Sequence, residues 1–223
     1  FDDGFLGAFN NAFPVLESLK MPFVMFLNMK PVIERKPMLS AYVLYLSEND
    51  KEFKTYLSDL DFEDEPHLHI NPILLNKFIA NNGSPNLNKI ITFQGKLVDE
   101  DVLIQWDKSK YAYYANHFHD HWNAAALSRL ELIDQFKKNY QALCKYKSSI
   151  NFLAFTNGKP ETCFNQRDVD ILQEQGIAKV FSSVHGVNKD VDSILLGRLA
   201  TNGSDHSSNH FWYRIGMSFL KKT

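Results

Sequence analysis

The sequence predicts an α/β domain with parallel strands. Three observations carry that expectation. Short apolar runs alternate with helical patterns through the second half of the chain. Two polar segments, one acidic and one rich in histidine, each fall where a strand gives way to a helix, the end at which α/β proteins build sites. The chain has 223 residues with 44% apolar content, enough to bury one large core.

The elements follow in order. Ala8, Ala12, Leu16 and Leu19 share one face of a helix over 8–20, where Pro14 is tolerated only near a first turn or as a kink. Residues 23–27 are a continuous apolar run of strand length. Residues 29–110 are helix-rich and read as an elaboration of the same domain. Within them Ser47 and Asp50 have capping-box spacing ahead of Phe53, Tyr56, Leu57 and Leu60. Residues 59–65 are an acidic surface stretch. Asn71-Pro72 opens a helix through Ala80, 81–88 is a loop of Gly, Ser, Pro and Asn, and 98–106 is a third helix. A strand over 111–115 delivers the histidines. Leu127, Leu130, Ile133, Phe136, Tyr140 and Leu143 then stripe a long helix. Residues 150–155 form a strand, Asn165 caps a helix that Gly176 ends, 177–184 form another strand, and a loop leads to a last segment over 193–200.

Composition narrows the function classes. A formal net charge of -2 gives no long-range pull on nucleic acid or an anionic membrane surface. No run approaches the ~18 apolar residues of a membrane span. Most of the 18 Phe, 9 Tyr and 3 Trp are expected in the core rather than in a binding cleft. Cys144 and Cys163 have no CxxC spacing, so no disulfide framework is implied and the redox compartment stays open.

The chemistry lies in two segments over a hundred residues apart. Phe1-Asp2-Asp3-Gly4 offers two adjacent carboxylates before a glycine. His117-Phe118-His119-Asp120-His121 places two imidazoles four residues apart. Asp3, His117 and His121 together make a three-ligand set for one divalent metal ion, and Asp2 is a spare carboxylate able to take a proton from water. That combination suits metal-assisted hydrolysis of an amide or ester. The donor set fits Zn2+ first, and also Co2+, Ni2+ or Fe2+. Each piece has a plainer meaning, since Asp-Asp-Gly is a common turn and HxxxH opens many solvated helices. Coincidence explains the pair, each at a strand end, poorly. His119 is expected to be exposed, Asp120 to be exposed or to orient a ligand, and His67 and His69 to lie on the surface.

These residues carry a resemblance. Phe1-Asp2-Asp3-Gly4-Phe5, then Asn10-Asn11-Ala12-Phe13-Pro14-Val15-Leu16, then Met21-Pro22-Phe23-Val24-Met25-Phe26, resemble the opening of the polysaccharide deacetylase family, the NodB-homology group or carbohydrate esterase family 4. His117 to His121 looks like its H-[ST]-x-x-H motif. The resemblance runs over most of the chain, with 29–110 longer and more divergent than the common pattern. It implies a single domain over 1–223 built as a distorted (β/α)7 barrel, whose first strand would precede residue 1. It implies Asp2 as catalytic base and Asp3, His117 and His121 as metal ligands.

Two later motifs depart from the family. Where R-x-P-[YF]-G is usual, this chain has Ala154-Phe155-Thr156-Asn157-Gly158, so the arginine that would hold the base has become Ala154. The backbone N–H of Asn157 can still serve an oxyanion, because that role needs no side chain. Where Leu-Leu-His is usual, its histidine the general acid, this chain has Leu195-Leu196-Gly197-Arg198, closer to branches with Leu-Pro-Arg. His185 also follows a strand and is the candidate acid, while His206 and His210 fall in a polar stretch expected to be loop. The implied function is metal-dependent removal of acetyl groups from N- or O-acetylated carbohydrate, an acetylated glycan being the partner. Two alternatives stay open: hydrolysis of a non-carbohydrate C–N bond on the same fold, and a non-catalytic glycan-binding or assembly protein. Location is open between the cell envelope and the cytoplasmic face of glycan synthesis.

Overall fold

A computed structural model of the protein describes residues 1–184 and 188–198. Five strands form one sheet in the order β1-β2-β3-β4-β5: β1 (Phe23–Leu27), β2 (Ala112–Asn116), β3 (Ser149–Ala154), β4 (Lys179–Phe181) and β5 (Leu195–Leu196). Every neighbouring pair is parallel. The α/β expectation with parallel strands is met, and five strands are seen among the described residues. Asp2 bridges Phe26 in parallel, with Phe1 N–H bonded to Val24 O and Phe26 N–H to Phe1 O at 2.9 and 2.8 Å. The first two residues therefore lie beside β1 in the next position of the sheet, and the acidic segment emerges at the same end as the histidine segment.

The expected helix over 8–20 is two pieces. Ala8–Ala12 is a π-turn and α1 (Phe13–Ser18) follows. Pro14 supplies no N–H for an i→i−4 bond, and the wider register ahead of it, with Phe13 N–H on Ala8 O, accommodates the loss. Phe9 and Phe13 are buried by this helical run and pack with Phe23, Met25, Leu27 and Tyr114 under β1 and β2. A second cluster, around Phe136, Leu153, Phe155, Phe164 and Leu172, lies under β3 and β4.

Between β1 and β2 run α2 (Met29–Glu34), α3 (Leu39–Asn49), α4 (Lys51–Ser58), α5 (Pro66–His69), α6 (Pro72–Asn82), α7 (Leu87–Gln94) and α8 (Glu100–Trp106). The helix-rich reading of 29–110 holds, and α3, α4 and α6 bury a cluster of their own around Val43, Leu46, Phe53, Leu57 and Phe78. Two details change. The cap of α4 is Asp50, which accepts from Phe53 N–H, while Ser47 sits inside α3 and bonds back to Leu44 O. The expected loop over 81–88 is confined to 83–86, between the end of α6 and the start of α7, which Asn86 caps by accepting from Asn88 and Lys89 N–H. Asn71 and Asp99 cap their helices by accepting from Leu74 and Val102 N–H, while at the start of α10 the Asp168 carboxylate accepts from Asn165 N–H at 3.0 Å.

After β2, α9 (Arg129–Leu143) opens on a Ser128–Glu131 capping box, and α10 (Gln166–Glu174) ends ahead of Gly176. The buried stripe of α9 is Leu132, Gln135, Phe136, Asn139 and Leu143. Leu130 and Tyr140, expected inside, are exposed. The helix is rotated from the apolar reading because two of its amides are needed indoors. Trp122 packs against both the α9–α10 cluster and the helical cluster of 29–110, so the insertion is docked beside the histidine segment. No helix among the described residues is long and apolar enough to cross a membrane. Cys144 is exposed and Cys163 buried, both free.

Candidate metal centre

The histidine segment leaves β2 and enters a tight loop, not a solvated helix. His117 N–H bonds Leu27 O at 3.1 Å, continuing the β1–β2 pairing by one residue. Phe118 then has φ 60° and His121 φ 50°, both in the left-handed region. For a bulky residue such as Phe118 that conformation is costly and persists only where its surroundings enforce it. Amide side chains do the enforcing. Asn28, at the end of β1, donates to the carbonyls of both His117 and Phe118. Asn116 accepts from Phe118 N–H at 2.8 Å and donates to Phe136 O at 3.0 Å. Gln135 accepts from Asp120 N–H at 3.0 Å. Asn139 takes Met29 N–H at 2.8 Å and donates to Leu27 O and Asn116 Oδ1 at 2.7 and 2.9 Å. These buried amides, absent from the sequence reading, set the loop's path. Their signal was positional: Asn28 and Asn116 each end a strand.

The acidic segment makes a comparable turn. Asp3 has φ 72° and Gly4 φ 83°. A Cβ at Gly4 would lie 2.8 Å from Leu27 Cδ2, so glycine is required by both space and conformation. The turn sends the adjacent carboxylates to different neighbours. Asp3 Oδ1 meets His117 Nε2 at 3.3 Å and His121 Nε2 at 3.2 Å. Asp2 Oδ1 accepts from Arg198 Nη1 at 2.7 Å.

Asp3, His117 and His121 present one ligand atom each, and all these atoms lie within 4.8 Å of one another. The chemistry of the set fits a divalent cation. His117 Nδ1 sits 2.8 Å from Ala154 O, and a carbonyl can only accept, so Nδ1 carries the hydrogen and the Nε2 of a neutral ring keeps its lone pair for a metal. Asp3 Oδ1 is buried without a hydrogen-bond partner among the described residues. A buried carboxylate oxygen in that state is costly unless a cation meets it. The group could therefore hold a metal ion.

Electrostatics agree with the geometry. Burial opposes ionisation of Asp3, but His121 and His117 outweigh it and hold the carboxyl far below the usual carboxylate range. Burial also works against Asp2, and His117 and Arg198 together keep it below that range. Burial would lower the His117 pKa, yet the Asp3 carboxylate against its Nε2 and the charge of Asp2 leave it raised. Asp120 is buried and pairs with Lys30, its pKa raised by that burial.

Of the residues singled out from the sequence, Asp2, Asp3, His117 and His121 come together at one end of the sheet. Asn157 lies in the loop after β3, three positions beyond the carbonyl that orients His117. It has φ 59°, and no acceptor meets its N–H among the described residues. His185, His206 and His210 lie outside the described residues. His119 is half-buried, not exposed, with Nδ1 unpartnered, because Lys30 N–H bonds its carbonyl and α2 covers it. His69 is exposed and stacks on Phe62. His67, expected on the surface, is half-buried near enough to His121 to feel its charge, and burial lowers its pKa. Asn123 Nδ2 on Leu68 O at 2.8 Å ties that short helix to the site loop. Arg198 was read only as a departure from the family, and nothing local in the sequence says that it meets Asp2.

The Asp-His-His group lies at the strand ends of a parallel α/β sheet, where such folds place their sites. No protein-family model and no curated protein matches the chain. Solved structures do. IcaB from Ammonifex degensii superposes on 96% of this chain and 71% of its own, with TM-score 0.58 and 16% identity. The deacetylase PplD of Streptococcus pyogenes, in complex with acetate, covers 96% and 68%, with TM-score 0.59 and 11% identity. A de-N-acetylase from Aggregatibacter actinomycetemcomitans covers 96% and 73%, with TM-score 0.55 and 15% identity. The chain has the NodB-type deacetylase fold that its two segments resemble.

Proposed function

We propose that this protein is a metal-dependent deacetylase of N- or O-acetylated carbohydrate. The observation that carries the reading is the convergence of Asp3 Oδ1, His117 Nε2 and His121 Nε2. Those three would hold a divalent cation, Zn2+ first and Co2+, Ni2+ or Fe2+ as alternatives, which would supply Lewis acidity to acidify water toward a pKa of ~7 and polarise an acyl carbonyl. Asp2, ionised and one residue from a ligand, accepts the proton of the attacking water. The N–H of Asn157, its donor unspent, stabilises the oxyanion. His185 is the candidate that returns a proton to the leaving nitrogen or oxygen. Acetate and a free amine or hydroxyl result.

Two findings support this over the alternatives. The acetate held by PplD is the product such a reaction releases. The arginine missing at 154 and the histidine missing from 195–198 motivate the non-catalytic reading, and Asp2 does meet an arginine, Arg198, which removes the first of these grounds. In the same reading residues 1–223 form one domain, a distorted (β/α)7 barrel with 29–110 inserted in it. The test is acetate release from an N-acetylglucosamine oligomer by the zinc-loaded protein. Asp2→Asn should lower kcat about 100- to 10,000-fold with zinc content unchanged. Undiminished release by that variant overturns the assignment of the base.

A further inference from the structure

The three-ligand group accounts for Asp3, His117 and His121 but not for what aims Asp2. Asp2 sits at an edge of the sheet, bridging Phe26 just ahead of the Asp3-Gly4 turn. Among the described residues its carboxylate receives one hydrogen bond, from Arg198 Nη1 to Oδ1 at 2.7 Å. We propose that Arg198 is a positioning residue for Asp2, fixing one carboxylate oxygen so that the other is left for the water proton. The inference rests on the deacetylase reading above.

The geometry that supports it is the rigidity of Arg198 itself. Its N–H bonds Val184 O at 3.1 Å, and its Nε bonds Ser182 O at 3.2 Å. Its guanidinium lies over the Phe26 ring, 5.5 Å from the centroid. Phe26 is also the residue that Asp2 bridges in the sheet. Arginine and aspartate are thus registered against the same strand position. The corner before Arg198 is closed as well. Gly197 exchanges two hydrogen bonds with the Asn188 side chain, at 2.8 and 3.0 Å, and a Cβ on Gly197 would lie 2.6 Å from Val184 O. A side chain with so many restraints presents Nη1 at a set place. A flexible exposed pair would do nothing of the kind.

The experiment uses the full chain loaded with zinc, acting on an N-acetylglucosamine oligomer, with acetate and bound zinc both measured. Arg198→Ala should lower kcat by about 10- to 100-fold, the loss expected from misplacing a reacting group by about 1 Å, and leave KM within about 2-fold. Zinc content should be unchanged. Millimolar guanidinium ion should restore part of kcat in Arg198→Ala and nothing in Asp2→Asn. Arg198→Lys, which keeps charge but not the fork, should fall between wild type and Arg198→Ala. Adding Arg198→Ala to Asp2→Asn should cost no further activity, since one residue acts through the other. An Arg198→Ala protein with wild-type kcat overturns the inference. So does a kcat loss in both variants that guanidinium does not relieve and that parallels loss of zinc, which marks a purely structural pair. A wild-type protein that binds zinc and releases no acetate overturns the deacetylase reading, and the inference with it.

Discussion

Asn139 allows the link between buried amides and the site to be tested in free energy. It is fully buried on α9 and makes three hydrogen bonds, to Met29 N–H, Leu27 O and Asn116 Oδ1. Asn139→Leu keeps approximate shape and deletes all three. Met29 N–H is then left buried and unpaired, at a cost of about 1–3 kcal/mol. The other two partners fare better: Leu27 O still accepts from His117 N–H and Asn116 Oδ1 from Phe118 N–H. Each loses a net bond worth about 0.5–1.5 kcal/mol. The total is about 2–6 kcal/mol, or roughly 5–20 °C in Tm for a chain of this length. Thermal unfolding in EDTA, which removes any metal contribution, reads it. Asn139→Asp sharpens the test. Ionised, it would face two oxygen acceptors in a dry site, so near neutral pH it should cost at least as much as leucine. Its folded pKa must lie above the unfolded value of ~3.9, so between the two the unfolded chain has lost a proton that the folded chain retains. Stability then falls as pH rises, and the deficit against wild type should widen from pH 4 to pH 7. A loss below about 1 kcal/mol in Asn139→Leu, or a pH-independent deficit in Asn139→Asp, refutes the role assigned to this network.

Three further outcomes are expected. Asp3→Ala, His117→Ala and His121→Ala should each weaken zinc binding by more than about 100-fold, beyond the 10- to 100-fold typical of outer-shell losses. Competition with a fluorescent chelator measures this, and unchanged affinity in all three removes the triad. Zinc at about 100 times its Kd should stabilise the folded chain by about 2.7 kcal/mol, and chelation should reverse it; a Tm indifferent to zinc contradicts a folded-state site. Gly158→Ala should destabilise more than Gly83→Ala. Both have positive φ, but the new Cβ would lie 2.9 Å from Ser183 N at Gly158 and in open space at Gly83. Equal losses by denaturant titration would show that crowding at the Asn157 loop is relieved at no cost.

Much of this was legible where one physical rule dominates a segment. The run over 23–27 had to be a strand because five consecutive apolar residues satisfy a sheet covered on both faces. Asn71-Pro72 announced its helix because a cap and a first-turn proline agree. The cation donors were legible because few other uses need an aspartate and two spaced imidazoles at strand ends. What was missed has a common cause, namely polar residues recruited by distant partners. Apolar periodicity put Leu130 and Tyr140 inside α9, but Gln135 and Asn139 are buried in their place because backbone groups of the site loop need them. α7 buries only Ile90, so its pattern is too thin to read. The family pattern puts the partner of Asp2 at 154, at the end of β3, and the partner comes instead from just beyond β5. Contacts of that span leave no local trace in a sequence.

Residues 2 and 198 are 196 positions apart. A ribosome releases the cation donors, complete by residue 121, well before it releases the arginine. The nascent chain can gather an ion while Asp2 still faces solvent, and long-range pairings of this kind form late. Pairing β5 with β4 and fixing the Asp2 carboxylate then become one event, so the place of that carboxylate waits on the far end of the described chain.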